Sequence, residues 1–145
     1  MVEYEKGNLE QAISLMSKSV ELKKQINDDS ILLSYFSLVE LTIDFGDINQ
    51  AIKYIKEIEQ IYTLREGTIT FNKFVLLKGK VLVKKGEVNQ GILHYTNAMD
   101  FFKNRKLWEY INMNAEELGD ILFENRKYKK ASELYKLAVK AKEMR

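Results

Sequence analysis

The chain has 145 residues, of which 46 % are hydrophobic and 30 % are charged, and its formal net charge at pH 7 is +2. This composition is typical of a folded chain, and mixed charges without a run of five like charges do not indicate a nucleic-acid surface. The absence of cysteine excludes disulfides, thiol catalysis and thiolate metal sites. No apolar stretch approaches the roughly 18 residues of a membrane span, so we expect a cytoplasmic protein.

Apolar residues recur at helical spacing along the whole chain, and no proline interrupts the pattern. Ile52, Ile55 and Ile58, for example, step by three residues, which is typical of an amphipathic helix. We therefore predict an all-α protein with a helix tail at 1–6 and seven helices near 8–26, 30–45, 48–63, 68–85, 88–104, 106–125 and 128–144.

A short phrase recurs between the predicted helices at a nearly constant interval. Three copies begin with glycine at positions 7, 46 and 86, and a weaker copy begins at Arg126. Each copy ends with a small residue (Ala12, Ala51, Gly91 and Ala131), so the spacing between copies is 39, 40 and 40 residues. Such a period is typical of stacked supersecondary units. Because glycine accepts the left-handed conformation in which helices often end, each copy predicts a turn between two antiparallel helices.

Small residues are also expected where the helices of a pair touch, because only a small side chain lets two backbones approach closely. The candidates are Gly79, Gly119, Ala51, Gly91 and Ala131. A single helical hairpin cannot bury its own apolar face, so we expect the hairpins to stack on one another. The sequence therefore predicts one α-solenoid domain over 1–145, with repeat turns near 7, 46, 86 and 126.

The residues around the turns follow a further pattern of small and aromatic positions. In the last copy this pattern comprises Leu118, Gly119, Ala131, Tyr135 and Ala138. Here the chain resembles the tetratricopeptide repeat family, and the resemblance implies a right-handed superhelix whose first helices line a concave face. Two departures are a period near 40 instead of about 34 residues and Arg126 at the turn glycine. A HEAT-like repeat of roughly 40 to 47 residues is the alternative.

The family resemblance implies a module that binds a peptide or protein segment in its concave groove. No cofactor, membrane contact or direct nucleic-acid contact is implied. Longer, proline-poor versions of this repeat form the C-terminal domains of Gram-positive peptide-pheromone receptors. The composition of the chain, rich in Lys, Ile, Asn and Tyr, is similar to theirs. This second resemblance implies, as the alternative function, a quorum-sensing domain of a helix-turn-helix transcription regulator.

Residues that could carry catalysis do not form a recognisable set. His94 is the only histidine, and no cysteine or acid-histidine spacing surrounds it, so a metal or proton-transfer role is not indicated. Glu116, Glu117 and Asp120 are neighbouring carboxylates, but helices of repeat proteins carry such charges routinely. No nucleophile triad or phosphate-binding loop is present. We therefore expect no enzyme activity and no metal site.

Charges alternate between acid and base when the predicted first helices are aligned by their turns. The matched rows are Glu40, Lys80 and Asp120, and Asp44, Lys84 and Glu124. One interpretation is a pair of ladders of ion pairs between neighbouring helices, which would contribute only ~0–1 kcal/mol for each pair. The functional interpretation is a mixed-charge groove that orients a peptide. Its predicted residues are Leu33, Phe36, Glu40, Asn72, Lys73, Leu76, Lys80, Lys84, Asn112, Glu116 and Asp120.

Two of these residues, Asn72 and Asn112, lie 40 positions apart at the same place in the repeat. An asparagine side chain can donate to and accept from an extended peptide backbone at once. The resemblance to the pheromone receptors implies this role for both asparagines. The structural alternative is that they are polar residues near helix N-termini.

The two ends of the chain give rise to different expectations. The helix that follows Gly7 lacks most of its hairpin partner and is expected to expose Leu9, Ile13, Met16 or Val20. This predicts either a fragment truncated on its N-terminal side or a homodimer formed through that end. The other end is expected to be finished, because Ser132 and Ala141 replace larger apolar residues of earlier repeats.

Overall fold

The computed structural model describes residues 8–18 and 31–144, and within these ranges it contains seven α-helices and no strand. The first helix, α1, covers residues 8–18. The others are α2 (Ile31–Phe45), α3 (Ile48–Ile61), α4 (Ile69–Lys85), α5 (Val88–Asn104), α6 (Trp108–Glu124) and α7 (Tyr128–Glu143). The all-α prediction is confirmed, and each boundary from α2 onwards lies within two residues of its predicted position.

The predicted tail at 1–6 and the predicted continuation of the first helix over 19–26 lie outside the described residues. Among the helices that are described, none is long and apolar enough to cross a membrane.

The chain divides into two compact units, Met1–Leu64 and Arg65–Arg145. In the first unit, α2 and α3 pack together as a hairpin whose buried residues include Tyr35, Leu38 and Ile58. The turn between them ends at Asp47, whose carboxylate accepts the backbone N–H of Gln50 at 3.1 Å and so caps α3.

The second unit contains two more hairpins, α4 with α5 and α6 with α7, and α5 packs against α6. Its core is continuous across the four helices and includes Tyr95, Phe102, Ile111, Leu118 and Leu122, which are all at most 1 % exposed. Neither hairpin could bury these side chains alone, so the α5–α6 contact supplies the packing that a stacked repeat requires.

Small residues lie where the paired helices approach most closely. A Cβ atom on Gly91 would lie 2.7 Å from the carbonyl oxygen of Gly79, so the α4 and α5 backbones touch at this pair. Ala51 and Ala131 are 0 % and 1 % exposed at the equivalent places in the other two hairpins. The predicted close approach is therefore confirmed for Gly79 and Gly91, and Ala51 and Ala131 are buried as expected.

The predicted turns adopt the left-handed conformation, with φ of +92° at Gly46 and +103° at Gly86. Arg126 occupies the same place in the last repeat and has φ +61°, and Lys106 between α5 and α6 has φ +57°. A residue with a Cβ atom is strained in this conformation, whereas glycine is not. The departure of Arg126 from the repeat pattern therefore costs stability without changing the turn.

We expect the substitution Arg126→Gly to stabilise the second unit by about 0.5–1 kcal/mol, because the strain relieved exceeds the added freedom of the unfolded chain. Arg126→Ala is the matched control, since it removes the same charge and keeps the Cβ atom. Urea denaturation followed by circular dichroism measures both. A stabilisation shared equally by the two variants would mean that removal of the charge, rather than the backbone, is responsible.

The exposure of the apolar residues at the two ends of the chain differs from the expectations. Leu9, Ile13 and Met16 of α1 are half-buried, the exposed apolar residue of this helix is Leu15, and Val20 lies outside the described residues. At the other end, the prediction that Ala141 reduces the apolar character of the outer face is wrong, because Ala141 is 0 % exposed. Tyr128 and Val139 of α7 are instead each 56 % exposed.

Candidate functional site

The first helices of the two hairpins in the second unit, α4 and α6, make direct contacts along one face. The Lys73 ammonium lies 5.6 Å from the centre of the Tyr110 ring, which is within range of a cation–π interaction. Two turns further along, the Lys80 ammonium lies 3.7 Å from Glu117 Oε2. We call the surface formed by α4 and α6 around these contacts the α4–α6 face.

Both contacts join residues that are 37 positions apart in the chain (73 to 110 and 80 to 117). The repeat period there is 40, so neighbouring first helices are shifted along their axes by nearly one helical turn. This shift corrects the predicted ladder, because Lys80 pairs with Glu117 and not with Asp120. Asp120 accepts a hydrogen bond from the Tyr135 hydroxyl instead, at 2.6 Å.

The charges on the two helices are fully separated by sign. Helix α4 carries five lysines and no acidic residue. Helix α6 carries five acidic residues and no basic residue. Lys73, Lys80 and Lys84 share one stripe of α4, and Glu109 and Glu117 lie on the side of α6 that carries Met113. The α4–α6 face is therefore positive along one helix and negative along the other, and Lys80 and Glu117 pair across it.

The eleven residues predicted for the groove divide between the two units. Leu33, Phe36 and Glu40 lie on α2 in the first unit, where Leu33 is 57 % exposed and Phe36 is buried. The other eight lie on α4 and α6. Among these, Lys84, Glu116 and Asp120 are exposed, Lys73, Lys80 and Asn112 are partly exposed, and Asn72 and Leu76 are buried. The charged members on α4 and α6 are thus at least partly accessible, whereas Leu76 and Asn72 in this unit and Phe36 in the first unit serve mainly in packing.

The two predicted backbone-binding asparagines have different surroundings. Asn72 is 7 % exposed, and its amide already donates to the Thr68 carbonyl of its own helix at 2.9 Å. It therefore offers little to a ligand. The side-chain oxygen of Asn112 is buried and accepts no hydrogen bond from the described residues. A peptide-binding role for Asn112 stays a prediction.

Sequence reasoning missed Tyr110 and Glu117, the two residues of α6 that meet α4. Met113 lies three residues after Tyr110 and four residues before Glu117, so all three lie on one stripe of α6. Met113 is 68 % exposed and is the large apolar side chain of this stripe. Helical spacing could therefore have identified this stripe of α6. It could not show the axial shift between α4 and α6 that brings this stripe into contact with α4.

The hydrogen bond between Tyr135 and Asp120 holds one end of the acidic helix in place. Asp120 accepts this bond, and the bond together with partial burial and nearby carboxylates raises the pKa of Tyr135 from 10.0 to about 12. The tyrosine therefore remains a hydrogen-bond donor throughout the physiological pH range. This bond keeps the Asp120 carboxylate at the edge of α6 that faces α7.

The described residues contain no group of three or more His, Cys, Asp or Glu side chains arranged to hold a metal ion. His94 is partly exposed, and its Nδ1 lies 2.9 Å from the Gln90 carbonyl one turn earlier in the same helix. This contact is local and brings no second titratable side chain to the imidazole.

Comparison with known proteins identifies no relative, since no family model, curated protein or solved structure matches the chain. The tetratricopeptide resemblance and the resemblance to pheromone receptors therefore stay predictions. The all-α repeat architecture rests on the described helices themselves.

Proposed function

We propose that the protein is a binding module that holds a peptide or protein segment on the α4–α6 face of its second unit. The observation that carries this proposal is the separation of charge on this face, with Lys73, Lys80 and Lys84 on α4 and Glu109 and Glu117 on α6. A ligand that crosses from one helix to the other meets a positive surface first and a negative surface second. The ligand that complements this order is a segment with an acidic end and a basic end.

The charges that remain open define how such a segment lies. Lys84 is exposed at the end of α4 and makes no ion pair with another described residue, so it can receive a carboxylate. Glu109 is likewise exposed on α6 and can receive a cation. Met113 provides apolar contact between them, and a methionine side chain adapts to differently shaped partners.

The geometry also sets the expected strength and salt dependence of binding. Exposed ion pairs contribute only ~0–1 kcal/mol each, so several pairs and the Met113 contact are needed for micromolar affinity. Screening shortens the range of such interactions from about 8 Å at physiological ionic strength to about 3 Å at 1 M salt. Binding on this face should therefore weaken as the salt concentration rises.

Reversal of the charge on α4 tests the proposal directly. We expect the double substitution Lys80→Glu and Lys84→Glu to weaken binding by about tenfold or more, because two attractions become repulsions. The probe is a synthetic peptide selected from a display library on the wild-type protein, and its affinity is measured by isothermal titration calorimetry. Selected peptides are expected to carry an acidic and a basic end around an apolar residue.

The matched control is the double substitution Lys129→Glu and Lys130→Glu, which makes the same change in net charge at exposed positions of α7. We expect this control to bind the peptide nearly as well as the wild type. Thermal melts of both variants should lie close to that of the wild type, because the lost Lys80–Glu117 pair is only partly buried. Equal weakening by the two variants, or selected peptides without charged ends, would contradict the proposed site.

A further inference from the structure

The outer side of α7 carries an apolar surface with a shallow pocket of about 490 Å³. We call this surface the α7 end face, and its residues are Phe123, Tyr128, Ala131, Ser132, Tyr135, Lys136 and Val139. Phe123, Tyr128 and Val139 are 55 %, 56 % and 56 % exposed. Three large side chains so exposed make an apolar patch on the order of a few hundred Å², the size at which patches on soluble proteins mark interaction sites.

The equivalent helix of the preceding repeat, α5, shows what kind of contact this surface of α7 can make. Ile92, Tyr95 and Met99 of α5 lie 40 residues before Ser132, Tyr135 and Val139 of α7. The α5 residues are at most 7 % exposed and belong to the core in which α5 packs against α6. No described residue covers the corresponding side of α7 in the same way, so the α7 end face presents a packing surface of the same kind to solvent.

The charges at the two edges of the α7 end face identify the occupant. On the α6 edge, Asp120 accepts a hydrogen bond from the Tyr135 hydroxyl, Glu124 lies one turn after it, and Glu116, one turn before it, pairs with Lys142 at 3.9 Å. On the α7 edge, Lys136 lines the pocket and is exposed. Lys129 lies two turns earlier with the exposed Glu133 between them, so Lys136 is the base that borders the pocket. The apolar strip therefore has Asp120 on one edge and Lys136 on the other, both next to Tyr135. If a second copy is turned about a two-fold axis parallel to the strip, its Lys136 faces Asp120 of the first copy and its Asp120 faces Lys136.

We propose that two copies of this chain associate through their α7 end faces. The two-fold axis runs along α7 and places the acidic edge of each copy against the basic edge of its partner, so the contact between Asp120 and Lys136 occurs twice. The aromatic rings of Phe123 and Tyr128 and the side chain of Val139 form the apolar centre. This interface is distinct from the α4–α6 face and does not depend on the proposed peptide binding.

The size of the patch indicates a reversible dimer. Stable protein interfaces bury about 1,200–2,000 Å² in total, and the α7 end face offers less than such an interface requires. We therefore expect dissociation in the micromolar to millimolar range. Sedimentation velocity of the full chain from about 10 µM to about 1 mM should show a shift from monomer to dimer.

Two sets of variants test the position of the interface. Tyr128→Glu with Val139→Glu should keep the chain monomeric over the whole concentration range, because four carboxylates would enter the apolar centre of a dimer. Leu93→Glu is the matched control, since Leu93 is an exposed apolar residue of α5 (57 % exposed) outside the α7 end face, and it should leave dimerisation intact.

The two-fold arrangement predicts a further result. Asp120→Lys and Lys136→Glu should each prevent self-association, because each variant then carries like charges on both edges. An equimolar mixture of the two variants should dimerise again, because both edge contacts become attractive. A wild-type chain that remains monomeric at about 1 mM overturns the proposal. So does a dimer that survives in the Tyr128→Glu, Val139→Glu variant, or a mixture of folded single variants that fails to associate.

Discussion

Substitution of alanine for Gly91 is expected to destabilise the second unit by about 2–3 kcal/mol, although alanine is the better helix former by about 1 kcal/mol. A Cβ atom on Gly91 would lie 2.7 Å from the carbonyl oxygen of Gly79 and 2.9 Å from the backbone nitrogen of Val83. Backbone atoms cannot swing away as a side chain can. Helices α4 and α5 would have to move apart, and the core between them would lose contacts along its length.

The control for Gly91→Ala is Gly119→Ala in α6, where glycine lies 40 positions after Gly79, the residue that Gly91 touches in α4. There the nearest atoms to the added Cβ atom belong to the ring of Tyr135, at 2.8 Å, and a side-chain ring can shift by a few tenths of an ångström where backbone atoms cannot. We expect this variant to remain within about 1 kcal/mol of the wild type. Urea denaturation monitored by the fluorescence of Trp108, the single tryptophan, reports on the second unit in both cases. If the two variants were equally stable, α4 and α5 would move apart at a lower cost in free energy than the short distance between Gly79 and Gly91 indicates.

Truncation of Phe102 to alanine is expected to cost about 3–5 kcal/mol, because the side chain is fully buried at the junction of the two hairpins. The Phe102 ring stacks on Tyr110 with a centroid distance of 5.0 Å and meets Phe101 edge to face at 5.7 Å. Tyr110 is also the ring under the Lys73 ammonium. The substitution should therefore weaken the packing of α5 against α6. Because it removes the ring that supports Tyr110, it should also disturb the position of Lys73 on the α4–α6 face.

Phe123→Ala is the control for Phe102→Ala, since Phe123 also meets an aromatic ring, that of Tyr128 at 5.2 Å, but is 55 % exposed. Its truncation should cost less than about 1 kcal/mol. Both are measured at low micromolar protein concentration, so that self-association through the α7 end face does not contribute. Similar costs at the two positions would mean that Phe102 does not couple the hairpins. An unchanged Lys73 signal in NMR spectra of a folded Phe102→Ala variant would argue against the link to the α4–α6 face.

The charged surface was only partly predictable from the alignment of the repeats. Alignment by the turn residues correctly grouped Lys80 and Lys84 on one helix and Glu116 and Asp120 on another. It paired them wrongly, because it treated neighbouring helices as if they lay in register, whereas Lys80 reaches Glu117. A repeat period counts residues along the chain and carries no information about how far one helix slides along the next.

The amino-acid sequence was sufficient to predict the bounds of α2 to α7, the turns at Gly46, Gly86 and Arg126, and the close approach of Gly79 and Gly91. These features depend on local properties, namely apolar periodicity, backbone freedom and side-chain volume, which can be read within one repeat. The tertiary structure was needed to establish the Lys80–Glu117 pairing, the burial of Asn72 and Leu76, and the exposure of Tyr128 and Val139. Each of these depends on which helix lies against which and at what axial offset, and that offset is set by packing between residues about 40 positions apart.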